Sequence, residues 1–198
     1  MEYFQRQYPM LAACGLNCGL CPRRHTDGPS KCPGCAGKGF SEKHPSCGHL
    51  SCVQRRSIEY CFQCDEYPCK RFDAAVLFDS FITHRNMMTN FDKIKKEGLE
   101  AYQAELNEKI EILQTLLNGY DDGRRKSFYC TAVNLSELSE IKSVTDTLAA
   151  ETNPEDSLKE KAAAAVRLFQ EAADKNNIDL KLRKKEPVRK KIDQNQPE

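Results

Sequence analysis

Cysteine is the residue type in this sequence whose number and spacing point most directly to chemistry. Ten of the eleven cysteines lie between Cys14 and Cys69, and several of them are separated by only two residues. Sulfurs spaced in this way converge on one ion more readily than they pair as a disulfide. The predicted metal ligands are Cys14, Cys18, Cys21, Cys32, Cys35, Cys47, Cys52, Cys61, Cys64 and Cys69.

The segment 32–37, Cys-Pro-Gly-Cys-Ala-Gly, has the composition of a zinc knuckle. Pro33 restricts the backbone where the turn begins, and Gly34 permits a positive φ angle. In a turn of this kind two sulfurs reach one zinc ion at about 2.3 Å. Backbone N–H groups of the turn donate to the sulfurs and offset the thiolate charge.

The spacing leaves open which cysteines share an ion. The most local grouping places Cys32, Cys35, Cys47 and Cys52 on one ion and Cys18, Cys21, Cys61 and Cys64 on another, with Cys14 and Cys69 spare. The two spare cysteines could instead join a third site; twelve ligands would then be needed, and His25 and His49 are the candidates that complete the set. A histidine in such a loop is equally well explained as solvated. The sequence therefore predicts two or more zinc ions.

Zinc is the favoured metal because it is the commoner occupant of closed sites with four ligands. The alternative is an iron–sulfur cluster, since Cys14, Cys18 and Cys21 have the spacing of the three cysteines in radical S-adenosylmethionine enzymes. Those enzymes resemble one another in an aromatic residue before the third cysteine, where this chain has Leu20, and in a long series of βα units. An iron–sulfur enzyme that uses these three cysteines is the second hypothesis.

The composition divides the chain into three parts, and the predicted fold class is mostly α. Residues 1–71 are rich in Cys, Gly and Pro and are predicted to form a small irregular metal-binding module of the zinc-knuckle or ribbon type. This module has too few aliphatic side chains for an ordinary core. Residues 72–180 are predicted to be helical, and residues 181–198 form a charged tail that is expected to be disordered beyond about Lys184.

Helical periodicity is strongest over residues 99–117, where apolar side chains recur at three- and four-residue steps. Asn153 and Pro154 are expected to begin a last helix as its N-cap and first-turn proline. The other predicted helices cover 72–83, 87–97 with Gly98 as the cap, 124–132 (a helix or a strand) and 136–149. The apolar face of the last helix is predicted to consist of Leu158, Ala162, Ala165, Phe169 and Ala172.

The net charge, the absence of long apolar runs and the first residues of the sequence exclude several classes of protein. The chain has 30 basic and 29 acidic residues, so it lacks the excess of positive charge that is typical of a nucleic-acid-binding domain. The paired basic residues at 23–24, 55–56 and 70–71 are better explained as offsetting thiolate charge. No apolar run approaches the roughly 20 residues that span a bilayer, and the first residues do not form a secretory signal. A cytoplasmic protein with reduced cysteines is expected.

The arrangement of cysteines resembles the domain of unknown function 3795 family of bacterial and archaeal proteins. The residues that carry the resemblance are CGLNCGLCP at 14–22, KCPGC at 31–35, the pair Cys47 and Cys52, and YCFQCDEYPCKRF at 60–72. The segments NFDKIKKEGLEAY at 90–102 and DGRRKSFYC at 122–130 resemble longer members, so the likeness extends over about residues 10–135. The resemblance implies zinc binding in a cytosolic protein and implies no reaction.

The sequence therefore predicts a cytoplasmic zinc-binding protein in which the zinc is structural and the role is that of a binding or adaptor protein. A protein partner is favoured over nucleic acid, and a zinc-dependent nucleic-acid-binding module is the third hypothesis. Whether the chain is an enzyme stays open, because no catalytic constellation accompanies the cysteines. Cys130, outside the cluster, is predicted to be a packing residue.

Overall fold

Eight α-helices and three short 3₁₀ turns form the regular structure of residues 5–185, the part of the chain that the computed structural model describes. The helices are α1 (Phe40–Lys43), α2 (Gly48–Arg55), α3 (Lys70–Ala75), α4 (Met87–Glu97), α5 (Leu99–Gly119), α6 (Lys126–Leu135), α7 (Leu138–Glu151) and α8 (Leu158–Lys175). The 3₁₀ turns are Cys18–Leu20, Gly28–Ser30 and Cys61–Gln63. These residues contain no strand, so the predicted helical fold class with an irregular cysteine-rich N-terminal region is confirmed.

Gly98 separates α4 from α5 as the sequence predicts. Its φ of +95° is a value that residues with a Cβ rarely adopt, and its N–H donates to the carbonyl of Ile94 at 2.9 Å. The following helix is 21 residues long. Its buried face comprises Tyr102, Leu106, Lys109, Leu113 and Leu116. The three- and four-residue spacing thus predicted this helix and three residues of its buried face, Tyr102, Leu106 and Leu113. Leu99, Ile110 and Leu117, which recur at the same spacing, are only partly buried.

The helix predicted over 72–83 is shorter, because α3 ends at Ala75. Asp79 explains the difference, since its carboxylate accepts the backbone N–H groups of His84 and Arg183, each at 2.8 Å. An aspartate that binds backbone N–H groups in this way competes with helical hydrogen bonding. Residues 76–86 consequently form turns and bends, and the next helix, α4, begins at Met87.

The last helix begins later than predicted, at Leu158. Ser157 is its N-cap: the hydroxyl accepts the N–H of Glu160 at 3.3 Å, and the Glu160 carboxylate accepts the N–H of Ser157 at 2.9 Å. Leu158 is 45% exposed, so its predicted place on the apolar face was wrong. The buried residues of α8 are Ala162, Ala165, Leu168, Phe169 and Ala173.

The segment predicted as helix or strand at 124–132 is helix α6, which packs between α5 and α8. Cys130 on this helix is only 2% exposed, as expected of a packing residue. The helix predicted over 136–149 is α7.

The cysteine-rich region has more apolar packing than its composition predicts. Phe91 of α4 is fully buried, and its ring lies 5.0 Å from that of Phe62, 5.6 Å from Tyr67 and 6.4 Å from Tyr60. One hydrophobic cluster therefore includes residues from both the cysteine-rich and the helical parts. The buried apolar residues supplied by the cysteine-rich part include Leu11, Leu20, Val53, Tyr60 and Phe72.

The end of the described chain returns to the turn after α3. Arg183 donates from Nη2 to the Asp79 carboxylate at 2.9 Å and from Nη1 to the carbonyl of Val76 at 2.6 Å. The disorder predicted beyond about Lys184 falls almost wholly on residues 186–198, which lie outside the described residues. Within residues 5–185, no helix combines the length and the apolar character needed to cross a bilayer.

Candidate metal centre

Four cysteines from separate segments line one small cavity. They are Cys52 on α2, Cys61 in the last 3₁₀ turn, Cys64 directly after that turn and Cys69 directly before α3. We call them the cavity cluster. The cavity has a volume of about 20 Å³, which is enough for a single water-sized occupant. Its other walls include His49, Val53, Tyr67 and Phe72.

Cys61 is the buried member of the cavity cluster, and the other three cysteines are partly exposed. Burial, together with the thiols of Cys52, Cys69, Cys47 and Cys64, raises the pKa of Cys61 to about 12. The Cys61 thiol is therefore neutral at physiological pH unless a cation offsets the charge of the thiolate. A metal that binds here displaces protons from the sulfurs.

Two arginines line the same cavity as the cavity cluster. Arg71 is one of them, and the other is Arg56, whose Nη2 donates to the Glu66 carboxylate at 2.6 Å. The hydrogen bond to Glu66, followed by one to Cys52, raises the pKa of Arg56. One residue of each basic pair, Arg56 or Arg71, thus lines the cavity that the cysteines line. That they offset thiolate charge stays a prediction.

Five other cysteines form a second group, which we call the loop cluster: Cys14, Cys18, Cys21, Cys32 and Cys35. Cys18 lies among the other four, because burial and then the thiols of Cys35, Cys14, Cys21 and Cys32 raise its pKa. Backbone bonds hold the loops together, since the Cys35 N–H donates to the carbonyl of Pro9 at 2.8 Å and the Cys32 N–H to that of Arg23 at 2.9 Å.

The turn predicted at 32–37 is present in the loop cluster. Gly34 has a φ of +91°, as predicted, and a Cβ at this position would lie 2.5 Å from the carbonyl oxygen of Pro9. Backbone donors also face the sulfurs: burial raises the pKa of Cys21, whereas hydrogen bonds from the backbone of Arg23 and Arg24 lower it. Such N–H donors to sulfur are the feature that stabilises metal-bound thiolates in knuckles.

Cys47 stands between the two clusters, since its thiol acts on the pKa of Cys14, Cys35 and Cys61. The tertiary grouping therefore differs from the most local grouping in sequence, which placed Cys52 with Cys32 and Cys35. In the structure Cys52 lies with Cys61, Cys64 and Cys69.

The two candidate histidines differ in their surroundings. His49 lines the cavity, and its Nδ1 lies 3.7 Å from the sulfur of Cys61. His25 instead has its Nε2 at 2.8 Å from the carbonyl of Gly19, so this nitrogen is already engaged. Of the two, His49 is the one placed beside cysteines of a cluster.

Arg6 is a residue of the site that the sequence pattern did not reveal. Its side chain is fully buried, its guanidinium carbon lies 4.4 Å above the ring of Tyr60, and its Nη1 donates to the carbonyl of Leu11. Nε and Nη2 have no hydrogen-bond partner among the described residues. The charge of Arg6 lowers the pKa of Cys35, against the larger effect of burial.

The donor chemistry of both clusters fits a thiophilic cation. All eleven cysteines are free thiols, and no three His, Cys, Asp or Glu side chains of residues 5–185 are arranged as they stand to hold a metal. The small thiol-lined cavity, the backbone donors to Cys21 and the unpartnered buried nitrogens of Arg6 are all features that a bound thiolate complex would use. Cys52, Cys61, Cys64 and Cys69 would hold one ion, and members of the loop cluster would hold another.

The fold and these clusters define a helical protein with a cysteine-rich N-terminal domain of free thiols. Residues 10–74 match the family described as protein of unknown function (DUF3795), so the chain carries a DUF3795 domain at these residues, as its cysteine pattern predicts. The match ends before α4, so the resemblances at 90–102 and 122–130 lie outside it. No curated protein and no solved structure matches the chain.

Proposed function

We propose that the chain binds zinc structurally through its DUF3795 domain and acts as a binding or adaptor protein. The observation that carries the proposal is the convergence of Cys52, Cys61, Cys64 and Cys69 on one cavity of about 20 Å³. Four thiolates complete a tetrahedral zinc site and leave no ligand position for a substrate, which is the arrangement of structural zinc. The loop cluster supplies the ligands of a second ion.

Structural zinc would join segments of the cysteine-rich region that contain little regular secondary structure. The cavity cluster links α2, a 3₁₀ turn and α3, and the loop cluster links the segments around residues 14–21 and 32–35. Each structural zinc contributes on the order of 10 kcal/mol to folding. Removal of the metal is therefore expected to unfold the cysteine-rich region, while the longer helices α5 and α8 keep their own hydrogen bonds.

Metal analysis of protein purified without oxygen tests the proposal. Colourless protein with two or three equivalents of zinc is the expected result, and C64S is expected to lose about one equivalent because it breaks the cavity cluster. C130S is the matched control, since it removes a buried cysteine outside both clusters. Brown protein with absorbance near about 400 nm would instead support the iron–sulfur hypothesis.

A nucleic-acid-binding role is less favoured, because Arg56 and Arg71 line the cysteine cavity and Arg56 is paired with Glu66. The discriminating measurement is binding of a fluorescent single-stranded RNA at several salt concentrations. Binding that weakens with salt and is reduced in R55M would support this role. No salt-dependent binding is expected.

A further inference from the structure

A polar cavity that no cysteine lines lies between α4, α5, α6 and the loop that carries Asn17. Its volume is about 280 Å³, the space of roughly nine water molecules at about 30 Å³ each. Five of the polar residues that line it are at least nine-tenths buried: Asn17, Asn90, Lys109, Asn134 and Ser136. So many buried polar side chains around one space are costly unless they are paired or used.

Hydrogen bonds between side chains hold the wall of this cavity in place. The Tyr102 hydroxyl donates to Asn17 Oδ1 at 2.9 Å, and Asn17 Nδ2 donates to Asn134 Oδ1 at 3.0 Å. Asn86 and Asn90 are anchored as well, since their amide nitrogens donate to the carbonyls of Asn134 and Gly15 at 2.7 and 2.8 Å. The amide and hydroxyl groups are therefore preorganised, as in a binding site rather than a loosely hydrated gap.

Two lysines meet on one carboxylate in the cavity. Glu105 accepts from Lys93 at 2.7 Å and from Lys109 at 3.3 Å, while Lys109 also donates to the carbonyl of Ser136 at 2.8 Å. Lys93 forms a second ion pair, with Glu137 at 3.1 Å. The side chain of Glu137 is 69% exposed. Because an ammonium group has three donors, each lysine keeps one N–H for a further acceptor.

The charged side chains that line the cavity balance one another, because Glu105 and Glu137 oppose Lys93 and Lys109. Burial tends to raise the pKa of Glu105, but the two lysines hold it below the usual value. Burial lowers the pKa of Lys109, so an acceptor at its remaining N–H would stabilise the ammonium form. A zwitterion of the amino-acid type, whose carboxylate meets the remaining N–H groups of the lysines, keeps this balance, whereas a phosphate dianion does not.

We propose that this cavity binds a small polar carboxylate of about amino-acid size, whose carboxylate accepts the N–H groups of Lys93 and Lys109 that Glu105, Glu137 and Ser136 leave free. The amides of Asn17, Asn90 and Asn134 then face the remainder of the ligand. This site is separate from the proposed zinc sites, and its occupation does not depend on which metal the cysteines hold.

Calorimetric titration of the full-length protein tests the site with defined probes. The probes are L-glutamine, L-aspartate and succinate, with L-alaninamide as a probe without a carboxylate and with inorganic phosphate as a dianion. At least one of the three carboxylates is expected to bind with a Kd below about 1 mM, and L-alaninamide and phosphate are expected to bind more weakly. The two amino acids compared with succinate show whether an ammonium group is also recognised.

Substitution of a lysine tests whether the lysines of the cavity bind the carboxylate. K93M, whose side chain is 24% exposed in the native protein, is expected to fold and to weaken binding of that carboxylate at least about tenfold. K142M is the control, because Lys142 pairs with Glu108 at the surface outside this cavity. The proposal is overturned if none of the three carboxylates binds the wild type, if phosphate binds more tightly than all of them, or if folded K93M binds as the wild type does.

Discussion

Replacing Arg6 by Met tests most directly whether the loop cluster holds a metal. The buried guanidinium contacts the ring of Tyr60 and the carbonyl of Leu11, but its Nε and Nη2 have no hydrogen-bond partner among the described residues. Nη2 forms an ion pair with the Glu59 carboxylate at 3.6 Å, and the Arg6 side chain also interacts with the thiol of Cys35. A metal-bound thiolate at Cys35 would give Arg6 a charged partner, which binds a guanidinium group more strongly than a neutral thiol does.

The expected loss of zinc affinity in R6M follows from the interactions that the substitution removes in the metal-free and in the metal-bound protein. In the metal-free protein, R6M loses the Leu11 hydrogen bond, the contact with Tyr60 and the ion pair with Glu59, but it also removes two buried nitrogens that lack a hydrogen-bond partner among the described residues. Each of these effects is about 1–3 kcal/mol. They largely offset one another. In the metal-bound protein the variant also loses a charge-assisted bond to a thiolate, about 1.5–3 kcal/mol. Zinc affinity should therefore fall roughly 10- to 100-fold.

The assay is competition for zinc between the protein and a chromophoric chelator, with circular dichroism to verify that both proteins fold. R167M is the matched control, since Arg167 is an exposed arginine in ion pairs with Glu151 and Glu171. It should bind zinc as the wild type does. If folded R6M and the wild type bind zinc with equal affinity, Arg6 does not stabilise a metal-bound thiolate and the reasoning fails.

Three further predictions concern stability, each measured by urea unfolding of the metal-loaded protein. F91A should lose about 3–5 kcal/mol, because it removes a fully buried ring packed against the cysteine-rich region; a loss below about 1 kcal/mol would show that this contact contributes little. Burial tends to raise the pKa of Asp79, but hydrogen bonds, first those from Arg183, lower it from 3.8 to about 2. A group with a lowered folded pKa stabilises above its unfolded pKa, so about 2 kcal/mol should be lost as the pH falls from about 4 to 2. D79N should lack this contribution, and an unchanged acid profile in D79N would contradict the assignment. G34A should destabilise by more than about 1 kcal/mol, because its Cβ would meet the carbonyl of Pro9 at a positive φ; wild-type stability would disprove that constraint.

The helical part was largely predictable because its signals are local. Gly98 ended α4 and the periodic apolar residues defined α5, since both depend on neighbours within one or two turns. The length of α3 was predicted wrongly because a distant residue intervenes. Asp79 binds the backbone of Arg183, more than 100 positions away, and this contact shortens α3.

The sequence by itself determined the chemical class of the candidate site, because the type and close spacing of the cysteines specify thiol donors wherever the chain folds. Only the tertiary structure decided that Cys52 lies with Cys61, Cys64 and Cys69, that Arg6 stands beside Cys35, and that two lysines share Glu105 inside a polar cavity. The physical reason is that these groups meet through packing of helices and loops far apart along the chain. Spacing describes contacts within a turn, whereas burial and charge balance depend on which turns are brought together.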